Sequence, residues 1–255
     1  DSPKSYKQIG IPHGMTDICY GNSTYWIAGT EEKLSGYKLS DNRLELTTSS
    51  ISLNAPRRNL FYQMQIHNGK LYTCGGGLFY IPYYNPGTIQ VMDSNGDWQI
   101  YQEEGIVEAT GVKRYGDIAS IAIDPHDENH LFAASSLFGV YEFQDGKFVN
   151  LFTPQNSTIK PDYRYETTIY PIGVKFDSEG NLWILCAGAT NAISIYTKEK
   201  KWISLHHKNF SQKETLRGTF FDSRGWMWAV TPHFDYNGVF MLNTNGTLEN
   251  TQDDK

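Results

Sequence analysis

The residues with the strongest claim to chemistry are few and scattered. His206-His207 and the group His126, Asp127, Glu128 and His130 carry metal-ligating atoms, but they fall in turn-like stretches and their spacing fits no compact ligand set. The three cysteines, Cys19, Cys74 and Cys186, lie far apart with no Cys-x-x-Cys pair, which excludes a zinc pattern. Each sits in or beside an apolar run and reads as a buried free thiol, with a disulfide between two of them left open. Gly75-Gly76-Gly77 looks like a phosphate loop but lacks the following Lys-Ser/Thr, so close backbone approach is the better reading. His233 beside Asp235 in Thr231–Tyr236 reads as a structural hydrogen bond rather than a general base. No catalytic residue, metal or cofactor is assigned.

What remains is recognition chemistry. Gly75–Pro86 is an aromatic, proline-stiffened insertion in which Tyr80, Tyr83 and Tyr84 offer large rigid faces with polar tips, suited to a sugar or a protein partner. Arg57 and Arg58 carry planar guanidinium forks that match carboxylate or phosphate. His233 and Tyr236 occupy a similar loop further on. These seven side chains are the candidate ligand or partner contacts.

The elements that must position them repeat. Ile172–Phe176 ends at Asp177, a turn follows over Ser178–Asn181, and Leu182-Trp183-Ile184-Leu185 opens a second apolar strand. Thr219–Asp222, Ser223–Gly225 and Trp226–Val230 repeat the phrase. Looser copies start at Thr16, Met64 and Ile121. Gly and Asn at the turns supply positive φ, and Asp or Asn side chains bond the turn amides. Behind each copy stands a second hairpin, as in Gly139–Phe143 followed by Gln144–Gly146 and Phe148–Phe152. Each unit therefore holds four antiparallel strands at a period of roughly 45–60 residues, the grammar of a β-propeller blade. The blade units span about 15–53, 60–104, 117–153, 170–207 and 216–252 of a single domain, residues 1–255. No amphipathic helix is expected. Ser5–Ile9 reads as a stray outer strand, and the last unit lacks an outer strand after Thr247. The fold is all-β, either a closed five-bladed ring or an arc of a larger propeller, seven-bladed by expectation.

Composition agrees and excludes other classes. Aromatic residues make up 14% of the 255, with 17 Tyr, which favours pleated, half-buried surfaces. The net charge is −6 with basic residues dispersed, so the cationic footprint of a nucleic-acid binder is missing. No apolar run approaches the roughly 20 residues needed to span a bilayer. The chain opens at Asp1-Ser2-Pro3 with no signal-peptide pattern, as a segment excised from a longer protein would.

Two resemblances follow from these phrases. Asp177, Gly180, Asn181, Leu182 and Trp183 form an Asp-x-x-Gly-Asn-Leu-Trp phrase that resembles the regulator-propeller repeats in periplasmic sensors of Bacteroidetes hybrid two-component systems. A fuller series, from Asn54–Asn59 and Gly75–Gly77 through Pro86–Ile89, Tyr101–Ile106, Asp117–Pro125 and Gly139–Phe143 to Gly246–Leu248, is similar to the PorZ family of the type IX secretion system. The resemblance implies most of one propeller from a periplasmic or outer-membrane surface protein of Bacteroidetes. It also implies a scaffold that contacts a surface glycan, lipopolysaccharide or partner protein, with no catalytic residues. The alternatives are a ligand-sensing propeller of a two-component system and a propeller hydrolase. Against the hydrolase, the interval from Asp177 to Gly180 and from Asp222 to Gly225 is one residue longer than in the sialidase box. Nor does any arginine triad assemble.

Overall fold

The computed structural model describes residues 15–29, 34–41, 43–51, 54–77, 83–232, 237–248 and 250–255. The expected N-terminal strand at Ser5–Ile9 falls outside them. The chain divides into two compact units, Asp1–Arg57 and Arg58–Lys255.

The first unit is one antiparallel sheet ordered β1 (Met15–Gly21), β2 (Thr24–Gly29), β3 (Leu34–Ser40) and β4 (Arg43–Ile51). Its first hairpin turns through Asn22 and Ser23 at φ 52° and 57°, the two-residue loop whose twist matches that of its strands.

The second unit carries four sheets. The first holds β5 (Gln63–His67), β6 (Lys70–Cys74), β7 (Ile89–Met92) and β8 (Trp98–Ile100). After a short helix, α1 (Ile106–Thr110), come β9 (Ile118–Asp124), β10 (Asp127–Ser135), β11 (Gly139–Gln144) and β12 (Lys147–Phe152). The third sheet holds β13 (Pro171–Phe176), β14 (Leu182–Cys186), β15 (Ile193–Tyr196) and β16 (Trp202–Leu205). The last holds β17 (Arg217–Phe221), β18 (Met227–Thr231) and β19 (Gly238–Leu242), with no fourth strand among the described residues. All pairings are antiparallel between consecutive strands. We call the five sheets blades 1 to 5.

The first strands of blades 2 to 5 lie side by side. Ile121 N donates to Gln63 Oε1 at 2.7 Å, and Val174 N donates to Ser120 Oγ at 3.2 Å, which ties three of them together. Side chains alternate between the two faces of a strand, and here both faces meet a neighbouring blade. Along β10, Leu131 and Ala133 enter the core shared with blade 2, while Phe132 and Ala134 enter the core shared with blade 4. Along β14, Trp183 and Leu185 face blade 5, while Leu182 and Ile184 face blade 3. Hence these strands read as unbroken apolar runs rather than alternating ones. Blade 5 buries Met227, Ala229 and Leu242 towards blade 4, but its other face leaves Phe220, Val230 and Val239 exposed.

The described residues hold one short helical turn: α1 has five residues bracketed by Gly105 and Gly111 at φ 78° and 69°, and its Ile106 is fully buried in the core of blades 2 and 3. One expectation is corrected. Cys74 and Cys186 are free and buried, but Cys19, on β1, is free and exposed.

Candidate functional site

In an antiparallel blade, the starts of the first and third strands share one end with the finishes of the second and fourth. That end of blades 2 to 5 receives the described connections 75–77 and 83–88, 101–117, 153–170, 187–192 and 206–216. The opposite end carries the short hairpin turns. Topology therefore gathers these connections, with the described Tyr83 and Tyr84 among them, at one end, the loop end.

The turn end is built for stability. Asp177 Oδ1 accepts from the amides of Glu179 and Asn181 at 3.0 and 2.8 Å, and its Oδ2 accepts from Trp183 Nε1 at 2.9 Å. Asp222 does the same for the amides of Arg224 and Trp226 and for Trp228 Nε1 at 3.0 Å. The Arg224 guanidinium beside Asp222 holds that carboxyl well below the usual range. The Asp-to-Trp phrase is thus a hairpin clamp whose carboxylates are committed to the fold. His130 belongs to this end too, with Nδ1 3.0 Å from Asp124 Oδ2 and Nε2 2.9 Å from Glu142 Oε1. His206 Nδ1 lies 3.1 Å from Asn191 Oδ1. Among the described residues no cluster of three His, Cys, Asp or Glu side chains could hold a metal ion.

At the loop end, the starts of β5, β9, β13 and β17 surround a cavity of about 340 Å³ lined by Tyr62, Gln63, Ser120, Ile172, Arg217 and Thr219. Every one of the four blades contributes. Tyr62, one of the lining residues, is 43% exposed. Its phenol pKa is raised by burial, opposed by the positive charge of Arg217 and reinforced by Tyr83. Thr219 Oγ1 is buried with no hydrogen-bond partner. The cavity thus offers a phenol, a guanidinium, an amide and a hydroxyl around a small opening.

The loop bearing Tyr83 and Tyr84 is anchored. Asp117, fully buried at φ 49°, accepts from the amides of Tyr84 and Asn85 at 3.1 and 2.9 Å. Arg114 Nη2 donates to Asn85 O at 2.9 Å and its guanidinium lies 5.1 Å from the centre of the Tyr84 ring. Gly76 N donates to Ile118 O at 2.7 Å, and a β-carbon on Gly76 would sit 2.1 Å from that oxygen. A β-carbon on Gly77 would sit 2.2 Å from the Tyr83 ring. The glycine triplet serves close backbone approach, as read from the sequence. Tyr83 and Tyr84 are 58% and 64% exposed.

Of the other expected contacts, Arg58 is tied into the scaffold. Its Nε donates to Thr88 Oγ1 at 2.8 Å, its guanidinium reaches Glu103 at 3.4 Å, and its amide donates to Gln90 Oε1 at 2.8 Å. Arg57 belongs to the first unit. Tyr80, His233 and Tyr236 lie outside the described residues. The structure brings Tyr83 and Tyr84 together with Asp117 and Arg114, and adds Tyr62, Arg217 and Thr219, which sequence reasoning missed. Their shared signal is position: Tyr62 immediately precedes β5, and Arg217 and Thr219 lie in β17, both first strands of a blade.

No protein-family model and no curated protein matches the sequence. Among solved structures, PorZ, a bacterial surface component of the type IX secretion system of Porphyromonas gingivalis, superposes with a TM-score of 0.77 at 23% identity. That alignment covers 91% of this chain and 31% of the PorZ chain. The extracellular domain of a putative one-component system from B. thetaiotaomicron aligns at 13% identity and TM-score 0.47, covering 93% of this chain and 28% of that one. A gluconolactonase from Xanthomonas campestris aligns at 11% identity and TM-score 0.48, covering 89% and 71%. The chain spans about a third of the length of the PorZ chain, and across nine-tenths of its own length its fold is similar to that of PorZ.

Proposed function

We propose that this chain is a non-enzymatic binding propeller from a Bacteroidetes envelope protein, exposed in the periplasm or at the outer-membrane surface. Its loop end contacts a surface glycan, such as a lipopolysaccharide, or a partner protein of a secretion and attachment complex. The observation that carries this reading is the axial cavity at the loop end, lined by side chains of four blades with polar groups from three of them, and by the exposed Tyr62, while the exposed Tyr83 lies on a connection at the same end. Small polar cavities flanked by rigid aromatic faces suit recognition, because tyrosine gives contact area at low conformational cost. The fold shared with PorZ supports the same direction. Titrating the purified chain with lipopolysaccharide and a glycan panel by calorimetry tests it. Saturable binding should weaken by roughly tenfold or more in a Tyr83→Ala/Tyr84→Ala variant. Binding unchanged by that variant removes the loop end as the contact surface.

A second reading, the ligand-sensing propeller of a two-component receptor, is favoured by the Asp-to-Trp hairpin clamps in blades 4 and 5. A transmembrane segment and kinase in the same gene would select it.

A further inference from the structure

The long connection from blade 3 to blade 4, residues 153–170, bears a feature that the axial cavity does not use. Asp162 pairs with Ala189 in an isolated bridge, and Tyr163 N donates to Gly188 O at 2.9 Å, which bolts the connection to the β14–β15 loop. Gly188, at φ 72°, is required there, because a side chain would collide with the Asp162 carboxylate. Asp162, with its side chain 1% exposed, accepts from Arg164 Nε at 2.9 Å and Nη2 at 2.8 Å. The other end of that guanidinium meets Glu214 Oε2 at 2.8 Å. Tyr163 OH donates to Glu214 Oε1 at 3.1 Å. The guanidinium lies 5.6 and 5.3 Å from the ring centres of Tyr163 and Tyr165, and both tyrosines remain 49% exposed. They border an open cavity of about 570 Å³ whose rim includes Lys160, Glu166, Thr190 and Asn191.

We propose that this cavity is a second binding site, and that it takes a neutral oligosaccharide laid against the faces of Tyr163 and Tyr165. The charge arrangement selects the class. An anion meets a guanidinium already forked onto one carboxylate and paired with a second, while a cation meets carboxylates already neutralised by Arg164. The rim charges, Lys160 and Glu166, are opposite in sign. What is left for a ligand is aromatic surface, hydroxyl and amide groups, held rigid by internal bonds, and polyhydroxylated rings with apolar faces match that combination. The volume lies within the range of small-molecule sites.

The test is calorimetric titration with short neutral oligosaccharides of glucose, mannose, galactose and N-acetylglucosamine. At least one should saturate, and a Tyr163→Ala/Tyr165→Ala variant of unchanged circular dichroism should bind it at least about tenfold more weakly. Tyr163→Phe, which keeps the ring, should stay within about twofold of wild type. The Tyr83→Ala/Tyr84→Ala variant should leave this binding intact, so failure here and failure at the axial cavity are told apart. Saturation by none of the neutral sugars, or equal affinity in the Tyr163→Ala/Tyr165→Ala variant, overturns the proposal.

Discussion

At the scale of single residues, the charged side chains divide by role. Asp177 gathers two backbone amides and an indole N–H into one carboxylate. Replacing it with alanine leaves those donors to compete for water at a strand end, so Asp177→Ala should cost about 1–3 kcal/mol in chemical denaturation. His130 gives a pH signature. Burial works against its charge, but hydrogen bonds to Glu142 and Asp124 outweigh that and raise its pKa. The folded protein then holds the proton more tightly than the unfolded chain, so the contribution is full below the ordinary histidine pKa of about 6.5 and fades as pH rises through the folded value. His130→Gln should therefore destabilise the protein more at about pH 5.5 than at about pH 9, read from denaturation midpoints at both. An equal cost at the two pH values would mean that His130 is held as a neutral ring.

At the scale of elements, the blade strands explain both what was legible and what was not. The runs Ile121–Ile123 and Leu182–Leu185 announced strands buried on both faces, since neither face of an interior blade meets water, whereas the similar run Met227–Val230 lies in blade 5, where only the Met227 and Ala229 face is buried. Hairpin turns were legible from Asn68-Gly69 and Asp145-Gly146, all at positive φ. Helix α1 was not, because five residues between two glycines carry no measurable period. The axial cavity was not either. Tyr62, Ser120 and Arg217 are ordinary residues far apart in sequence, and only the side-by-side packing of the first strands unites them. The Tyr163–Arg164–Tyr165 group escaped for a related reason, since the connections between blades share no common phrase. Gly76 shows how tightly the loops are seated: Gly76→Ala would drive a β-carbon into Ile118 O, should cost about 1–3 kcal/mol and should shift the Tyr83 loop, visible as altered amide resonances of Tyr84 and Asn85.

At the scale of the whole molecule, stability resides between blades. Phe132 is 1% exposed and meets Phe152, Phe176 and Tyr196 at ring distances of 5.8–6.3 Å, so Phe132→Ala should cost about 3–5 kcal/mol. Phe220, on the uncovered face of blade 5, stacks on Trp228 but is 50% exposed, and Phe220→Ala should cost about 1 kcal/mol or less. Denaturation of the two variants side by side checks whether burial between blades sets stability. The same architecture separates the ends by role, with clamped hairpins at one and long aromatic connections at the other. Hydrogen exchange of the chain with and without lipopolysaccharide tests that division most directly. The account predicts slowed exchange at residues 60–63, 83–88, 114–120 and 217–219 of the loop end. Protection confined to the hairpins at 67–70, 144–147, 177–181 and 222–226, or no protection anywhere, would contradict it.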